Sequence, residues 1–182
     1  GIPVEDMGDR LIIPGLTDLH IHAPQYTFRS LGMDMELLEW LETNTFPEES
    51  KYKDTEYAQK AYGMFAEQLK KSATVRACIF GTIHNEATLI LMDLLEEAGL
   101  HTMVGKVNMD RNSPDYLCEP SAEASAQATR EWLKAVADRK YKHTKPILTP
   151  RFTPSCTDEL MELLKEIQTE THLPMQSHLS EN

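Results

Sequence analysis

Short apolar runs alternate with amphipathic segments along the whole chain. The apolar runs predict five strands, at 11–22, 73–80, 102–107, 146–149 and 173–178. The connecting segments carry apolar residues at spacings of three and four, which predicts helices at 35–41, 57–69, 87–98 and 121–139 and another after Thr157. This alternation of strands and helices predicts an α/β protein with parallel strands.

Residues that favour helix ends stand at several of these boundaries. Gly99 follows the segment 87–98 where a helix C-cap is expected, and Thr157 and Ser121 are good N-caps. Right-handed connections wind parallel strands in one direction, and eight such units close into a barrel of about 250 residues. The pattern therefore predicts about five βα units of a (β/α)8 TIM barrel.

The first predicted strand ends in a pair of histidines. Residues two apart on a strand point to the same face, so His20 and His22 converge, and two imidazoles suit zinc or another borderline divalent metal. Asp18 falls on the same face, where its carboxylate could orient a ligating imidazole. An HxH pair is also common by chance, so two histidines on a half-exposed strand remain the alternative.

The fifth predicted strand also ends in polar residues. His178 would reach the same rim as His20 and His22, because the carboxyl ends of barrel strands hold the reactive groups. Glu181 could act as a general acid and base beside the metal, although a solvated loop carboxylate is the simpler interpretation of this residue alone.

The fourth predicted strand ends in Arg151 and Phe152. The guanidinium could donate hydrogen bonds to a ligand oxygen, and the ring could stack on a flat substrate. A surface arginine followed by a core phenylalanine is the alternative. His84 follows the second predicted strand and is a weaker candidate for the barrel mouth.

Composition and charge exclude several classes of partner. The chain has 182 residues, 41% of them hydrophobic, and a formal net charge of −11 with no basic cluster, which argues against nucleic-acid and anionic-membrane binding. No apolar run reaches the roughly 18 residues of a membrane helix. Three widely spaced cysteines without a CxxC pair predict neither a disulfide framework nor a thiolate zinc site, and they favour a cytoplasmic setting.

Several motifs together resemble a known enzyme family. PGLTDLHIH at 14–22 with a distant strand-end histidine is similar to the amidohydrolase superfamily. More narrowly, the chain resembles the guanine deaminase family in HIHAPQY at 20–26, LLEWL and TFP within 37–47, VGKVNMD at 104–110, KPILTPRF at 145–152 and QSHLSEN at 176–182. The resemblance runs in the expected order over nearly the whole chain, and it implies a barrel of the metallo-dependent hydrolase type.

The resemblance also implies a reaction, zinc-dependent hydrolysis of guanine to xanthine and ammonia in purine catabolism. His20, His22 and His178 would bind one divalent metal ion, and Glu181 would carry a proton from the attacking water to a ring nitrogen. The purine would be held by four residues, namely Gln25, Arg151, Phe152 and His178. A homodimer is expected for the full-length protein.

Several features of the family pattern are not found in this chain. Family members carry a further metal-site histidine and an aspartate on later strands, which would lie beyond Asn182, and a β-rich flanking domain. We therefore expect residues 1–10 to be a remnant of that domain or a linker, residues 11–182 to be the N-terminal part of the barrel, and the isolated chain to be inactive.

Two other functions stay open at this point. The chain could be a non-catalytic half-barrel that binds metal or a partner, or it could come from an amidohydrolase that acts on another heterocycle. Gln25 and the pair Arg151 and Phe152 speak for guanine, because relatives with other substrates share the HxH motif alone.

Overall fold

A computed structural model describes residues 1–179, and its centre is a parallel sheet. Four strands form this sheet in the order β1-β2-β3-β5, with β1 at Leu16–His22, β2 at Thr74–Phe80, β3 at His101–Gly105 and β5 at Thr144–Pro146. A second parallel ladder joins β4 at Val107–Asn108 to β6 at Thr149–Pro150. Isolated parallel bridges from Leu148 to Met175 and from Phe152 to His178 extend the arrangement to the fifth predicted strand.

Helical segments connect β1 to β2, β2 to β3 and β4 to β5, as the alternating pattern predicts, and another helix follows β6. The α-helices are α1 at Leu37–Trp40, α2 at Phe46–Ser50, α3 at Thr55–Lys70, α4 at Asn85–Glu97, α5 at Ala122–Arg139 and α6 at Asp158–Thr171. A π-helical segment, Leu41–Thr45, joins α1 to α2 directly before Pro47, which has no N–H to donate to a regular helical ladder. Short 3-10 helices occur at Ala23–Phe28, Lys51–Lys53, Asp115–Leu117 and Thr153–Ser155.

The predicted helix boundaries are confirmed where capping residues marked them. Ser121 accepts a hydrogen bond from the main-chain N–H of Ala124, and Thr157 accepts one from Leu160. Gly99 ends α4 with a φ of 73°, a left-handed conformation that glycine adopts without steric cost. Between 1 and 179, no helix is both long and apolar enough to cross a membrane.

The strands are shorter and more interrupted than the apolar runs predict. Residues 11–15 stay outside β1, and the side chains of Leu11, Ile12 and Ile13 are exposed. The runs 102–107 and 146–149 each divide between two ladders, and 173–178 forms only isolated bridges. Proline at 146, 150 and 174 removes main-chain donors from these pairings, which an apolar pattern does not reveal.

The core lies between the sheet and the helices α3, α4 and α5. Its largest fully buried members are Tyr52, Tyr62, Ile79, Leu91, Met92, Leu95 and Trp132. A smaller cluster around Leu148, Leu160 and Leu164 packs α6 against the second ladder. These two clusters pack the helices against the strands and so fix the positions of the strand ends.

A buried ion pair fixes the chain where β3 gives way to β4. Lys106 and Glu119 are both buried and paired, and Glu119 also accepts a hydrogen bond of 3.0 Å from the main-chain N–H of Met109. The amide of Asn108 donates to Ser125 and Thr129 of α5, at 2.8 Å each. These bonds tie β4 and the loop after it to a helix of the core.

Candidate active site

Three histidines converge at the carboxyl end of the sheet. His20 and His22 end β1, His178 comes from the fifth predicted strand, and one ligand nitrogen of each lies within 4.8 Å of the others. The Nε2 atoms of His22 and His178 are 2.9 Å apart. The structure therefore brings together the three residues that the sequence marks as metal ligands.

The ring of Phe80 supports this histidine cluster. Phe80 ends β2 opposite His22, and the two rings stack with centroids 4.5 Å apart. The rings of His20 and His178 contact the same phenylalanine, at 5.0 Å and 4.6 Å. Because Phe80 is fully buried, it gives the three imidazoles a rigid apolar support.

A main-chain carbonyl orients His178. Its Nδ1 lies 2.6 Å from the carbonyl oxygen of Arg151. A carbonyl oxygen can only accept, so Nδ1 carries the proton and the lone pair of the ring is on Nε2. Metal-ligating histidines are commonly oriented by such a bond from the second ring nitrogen.

Electrostatics favour a neutral imidazole at His22. Burial holds the pKa of His22 well below its usual value, and the positive charge of Arg151 and the neighbouring His178 and His20 lower it further. The neutral ring is the form that binds a metal ion. Three imidazoles with converging nitrogens fit a borderline divalent cation such as zinc, which takes three protein ligands in open sites.

A cavity of about 460 Å³ opens beside the histidines. Gln25, Arg151 and Phe152 line it together with His20, His22 and His178, so the residues marked as substrate contacts share one site. Its size suits a small ligand. The sequence analysis missed the remaining wall, which is largely apolar or aromatic and consists of Ile21, Tyr26, Arg29, Leu37, Trp40, Leu41 and Phe65.

Most of these missed residues come from the helical segments that follow β1, whereas Ile21 lies on β1 itself. Trp40 and Leu41 lie where α1 meets the π segment, and Tyr26 lies on the 3-10 helix that also carries Gln25. The motifs HAPQY and LLEWL contain these residues, and their resemblance to a family was the only signal that could have indicated them. Periodicity alone assigns such residues to a core.

Arg151 is buried and paired, which the sequence analysis did not anticipate. Its Nη1 donates to Glu49 Oε2 at 2.6 Å and its Nη2 to Glu49 Oε1 at 3.3 Å. The side chains of Arg151 and Glu49 are only 5% and 2% exposed. The guanidinium also lies 5.4 Å from the ring of Phe46. Arg151 is therefore no surface residue, and its guanidinium is held in one orientation at the cavity wall.

The structure gives Asp18 a main-chain partner. Its carboxylate accepts a hydrogen bond of 3.0 Å from the main-chain N–H of His20. The pairing register of β1 shifts between Asp18 and Ile21, so the strict alternation of faces that the sequence analysis assumed is broken there. That bond steadies the strand just before the histidine pair.

A further candidate, His84, lies apart from the residues that line the cavity. His84 caps the start of α4, half-buried, and it is not among the residues that line the cavity. Burial lowers its pKa to about 4, with the positive charges of Lys53 and Lys106 adding to the effect. Glu181 lies outside the described residues.

Parallel βα units with a histidine cluster at the carboxyl ends of their strands define the class of metal-dependent hydrolases built on a TIM barrel. The family model for the amidohydrolase family matches residues 11–182, and the chain belongs to that family. The predicted fold class, a partial (β/α)8 barrel of the metallo-dependent hydrolase type, is confirmed.

Within this family the chain is similar to guanine deaminases. It is 44% identical to the guanine deaminase of Dictyostelium discoideum over 179 residues, covering 98% of this chain and 40% of that protein. A crystal structure of guanine deaminase from C. acetobutylicum with bound guanine matches with a TM-score of 0.94 and 47% identity, covering 100% of this chain and 43% of that one. The chain thus spans about two-fifths of the length of these relatives.

A more distant neighbour shows the fold alone. The structure of an adenosine deaminase from Xanthomonas campestris with bound zinc matches with a TM-score of 0.70 at 18% identity, covering 91% of this chain and 36% of that one. Its arrangement of strands and helices is therefore shared by proteins that act on different compounds.

Proposed function

We propose that the protein carrying this chain is a guanine deaminase, which hydrolyses the 2-amino group of guanine and releases xanthine and ammonia. The observation that carries the proposal is one cavity lined both by a histidine cluster and by Gln25, Arg151 and Phe152. The names of the relatives support the same activity.

Each polar group of the cavity has a role in the proposed recognition of guanine. Arg151 donates to the 6-oxo oxygen, and the amide of Gln25 pairs with another polar edge of the base. Phe152 packs against the ring, and Trp40 and Leu41 supply apolar wall. A flat, neutral base with polar edges matches a cavity of this composition.

The proposed metal is one zinc ion held by His20, His22 and His178. When bound, such an ion supplies Lewis-acid chemistry and lowers the pKa of water towards about 7. The chain's own part is to hold the three imidazoles in place, through Phe80 beneath the rings and the Arg151 carbonyl at His178. Glu181 is the proposed proton carrier between water and a ring nitrogen.

The wider setting belongs to the same proposal. We place residues 1–10 in a linker or flanking domain and 11–182 in the barrel, and we assign the protein to purine catabolism in the cytoplasm, where its three free cysteines would stay reduced. A homodimer is proposed for the full-length protein. The edge strand β1, with Leu16 and Leu19 exposed, supports further packing against this edge of the sheet.

A panel of purines tests the proposed substrate. The whole protein that carries this chain should release ammonia from guanine, and it should act on 2-aminopurine about 10² to 10⁴ times less efficiently, because the donors of Arg151 would be left unpaired. The measurement is kcat/KM for each base, with adenine and 2,6-diaminopurine as further members of the panel. Equal efficiency on guanine and 2-aminopurine, or faster ammonia release from a heterocycle without the 6-oxo group, would instead favour an amidohydrolase for another substrate.

A further inference from the structure

Glu49 is buried and forms an ion pair with Arg151, a residue that lines the cavity. It comes from α2, 102 positions before Arg151 in the chain, and both of its carboxylate oxygens accept from the guanidinium. With an exposure of 1%, Glu49 is shielded from water by its neighbours. A carboxylate in such a place needs a cation, and the guanidinium in contact with it is the one at the cavity wall.

The surroundings of Glu49 respond to its negative charge. Tyr52 and Tyr62 stand close enough that this charge adds to burial in raising the pKa of both phenols. Glu49 is therefore a buried negative charge whose cationic partner is Arg151.

The pairing leaves part of the guanidinium available to a ligand. Arginine has five N–H donors, and two of them point to Glu49, one from each terminal nitrogen. Arg151 lines the cavity in the orientation that the ion pair sets, and its other N–H donors are not used by Glu49. An arginine whose charge is already compensated favours a neutral carbonyl oxygen, whereas an uncompensated one would attract a carboxylate or another anion.

We propose that Glu49 is a positioning residue that orients Arg151 and neutralises its charge, so that the cavity selects a neutral oxopurine over a planar anion. This inference rests on the proposed function, and it specifies in addition that the substrate class is electrically neutral. It also assigns a function to the α2 segment, which carries the compensating charge to the end of a distant strand.

The test replaces Glu49 and measures ligand charge preference directly. The probes are hypoxanthine, a neutral oxopurine, and urate, a purine that is an anion at neutral pH. In Glu49→Gln, the ratio of the Kd of urate to that of hypoxanthine should fall about 10- to 100-fold, as expected for unit charges roughly 6 Å apart at an effective dielectric near 20. The KM for guanine should rise about tenfold or more with a smaller change in kcat, because a ground-state contact is misplaced.

Two further variants separate this role from general support of the fold. Glu49→Asp keeps the charge but retracts it, so the charge preference should stay as in the wild type while the KM for guanine rises. Glu48→Gln is the matched control, because Glu48 is the preceding residue of α2 and pairs with Lys51, Tyr57 and Thr27 outside the cavity wall. It should leave the ratio of the two dissociation constants and the guanine KM unchanged.

The outcomes distinguish this inference from the proposed function. A folded Glu49→Gln protein with wild-type charge preference would overturn the inference, and so would a Glu49→Asp protein with unchanged guanine KM if the glutamine variant does not fold. If the wild type binds both purines and the ratio of their dissociation constants changes in Glu49→Gln, but no guanine is turned over, the inference is supported and the proposed deaminase activity is contradicted. A wild type that binds neither purine would contradict both.

Discussion

Replacing His20 and His22 together by alanine is expected to abolish metal binding and guanine turnover. The two rings supply two of the three converging nitrogens, and the loss of both ligands from β1 leaves too few groups to retain a divalent ion. Without the ion, no group of the described cluster generates a nucleophile at neutral pH, so we expect a fall in kcat/KM of at least about 10³-fold. Elemental analysis of the purified double variant measures the metal, and ammonia release measures the activity.

A matched double variant controls for the loss of two histidines. His101 and His172 are exposed and do not belong to the cluster, so replacing both by alanine should leave metal content and activity as in the wild type. Metal content equal to the wild type in the His20→Ala, His22→Ala protein would show that these residues are not the ligands.

Arg151→Ala is expected to reduce both stability and guanine turnover. Removing the guanidinium leaves the buried carboxylate of Glu49 without its partner, which costs about 3 to 5 kcal/mol in the free energy of unfolding. It also removes the donors for the 6-oxo group, so kcat/KM for guanine should fall by about 10² to 10⁴. Denaturant titration and steady-state kinetics measure the two effects.

A second variant separates recognition by Arg151 from folding. In Arg151→Met with Glu49→Leu both charges disappear, and replacing a buried ion pair by apolar residues is often close to neutral for stability. Stability should therefore recover while guanine turnover stays low. Arg130→Ala is the control, since its pair with Glu170 is 40% and 54% exposed and contributes at most about 1 kcal/mol. Near-normal kcat/KM for guanine in a folded Arg151→Ala protein would show that Arg151 does not recognise the substrate.

Much of the site could be predicted because it follows from the direction of strands. His20, His22, Arg151, Phe152 and His178 all stand at carboxyl ends of predicted strands, and parallel strands bring those ends to one edge. The structure brings all five to one cavity. Gln25 was indicated only by the resemblance of its motif, since a 3-10 turn has no strong periodic signal.

Glu49 could not be predicted in the same way. Its partner lies 102 positions away, and an acidic residue on a helix is usually solvated, so only the packing of α2 against the strand ends reveals the pair. The predicted ends of the strands also differ from the observed ones. The sequence pattern shows which residues are apolar, but it does not show which main-chain groups form hydrogen bonds between strands. Gly105 illustrates this limit, since a Cβ there would lie 1.7 Å from Thr149 Oγ1, an approach that only the folded chain shows.

The central claim, a metal-dependent guanine deaminase site at the histidine cluster, is tested most directly by titrating zinc into the metal-free whole protein that carries this chain. Ammonia release from guanine should be absent without metal and should rise in proportion to bound zinc until about one ion is bound per site. Guanine turnover that persists after the metal is removed, or a zinc-loaded protein that leaves guanine unchanged, would contradict the account.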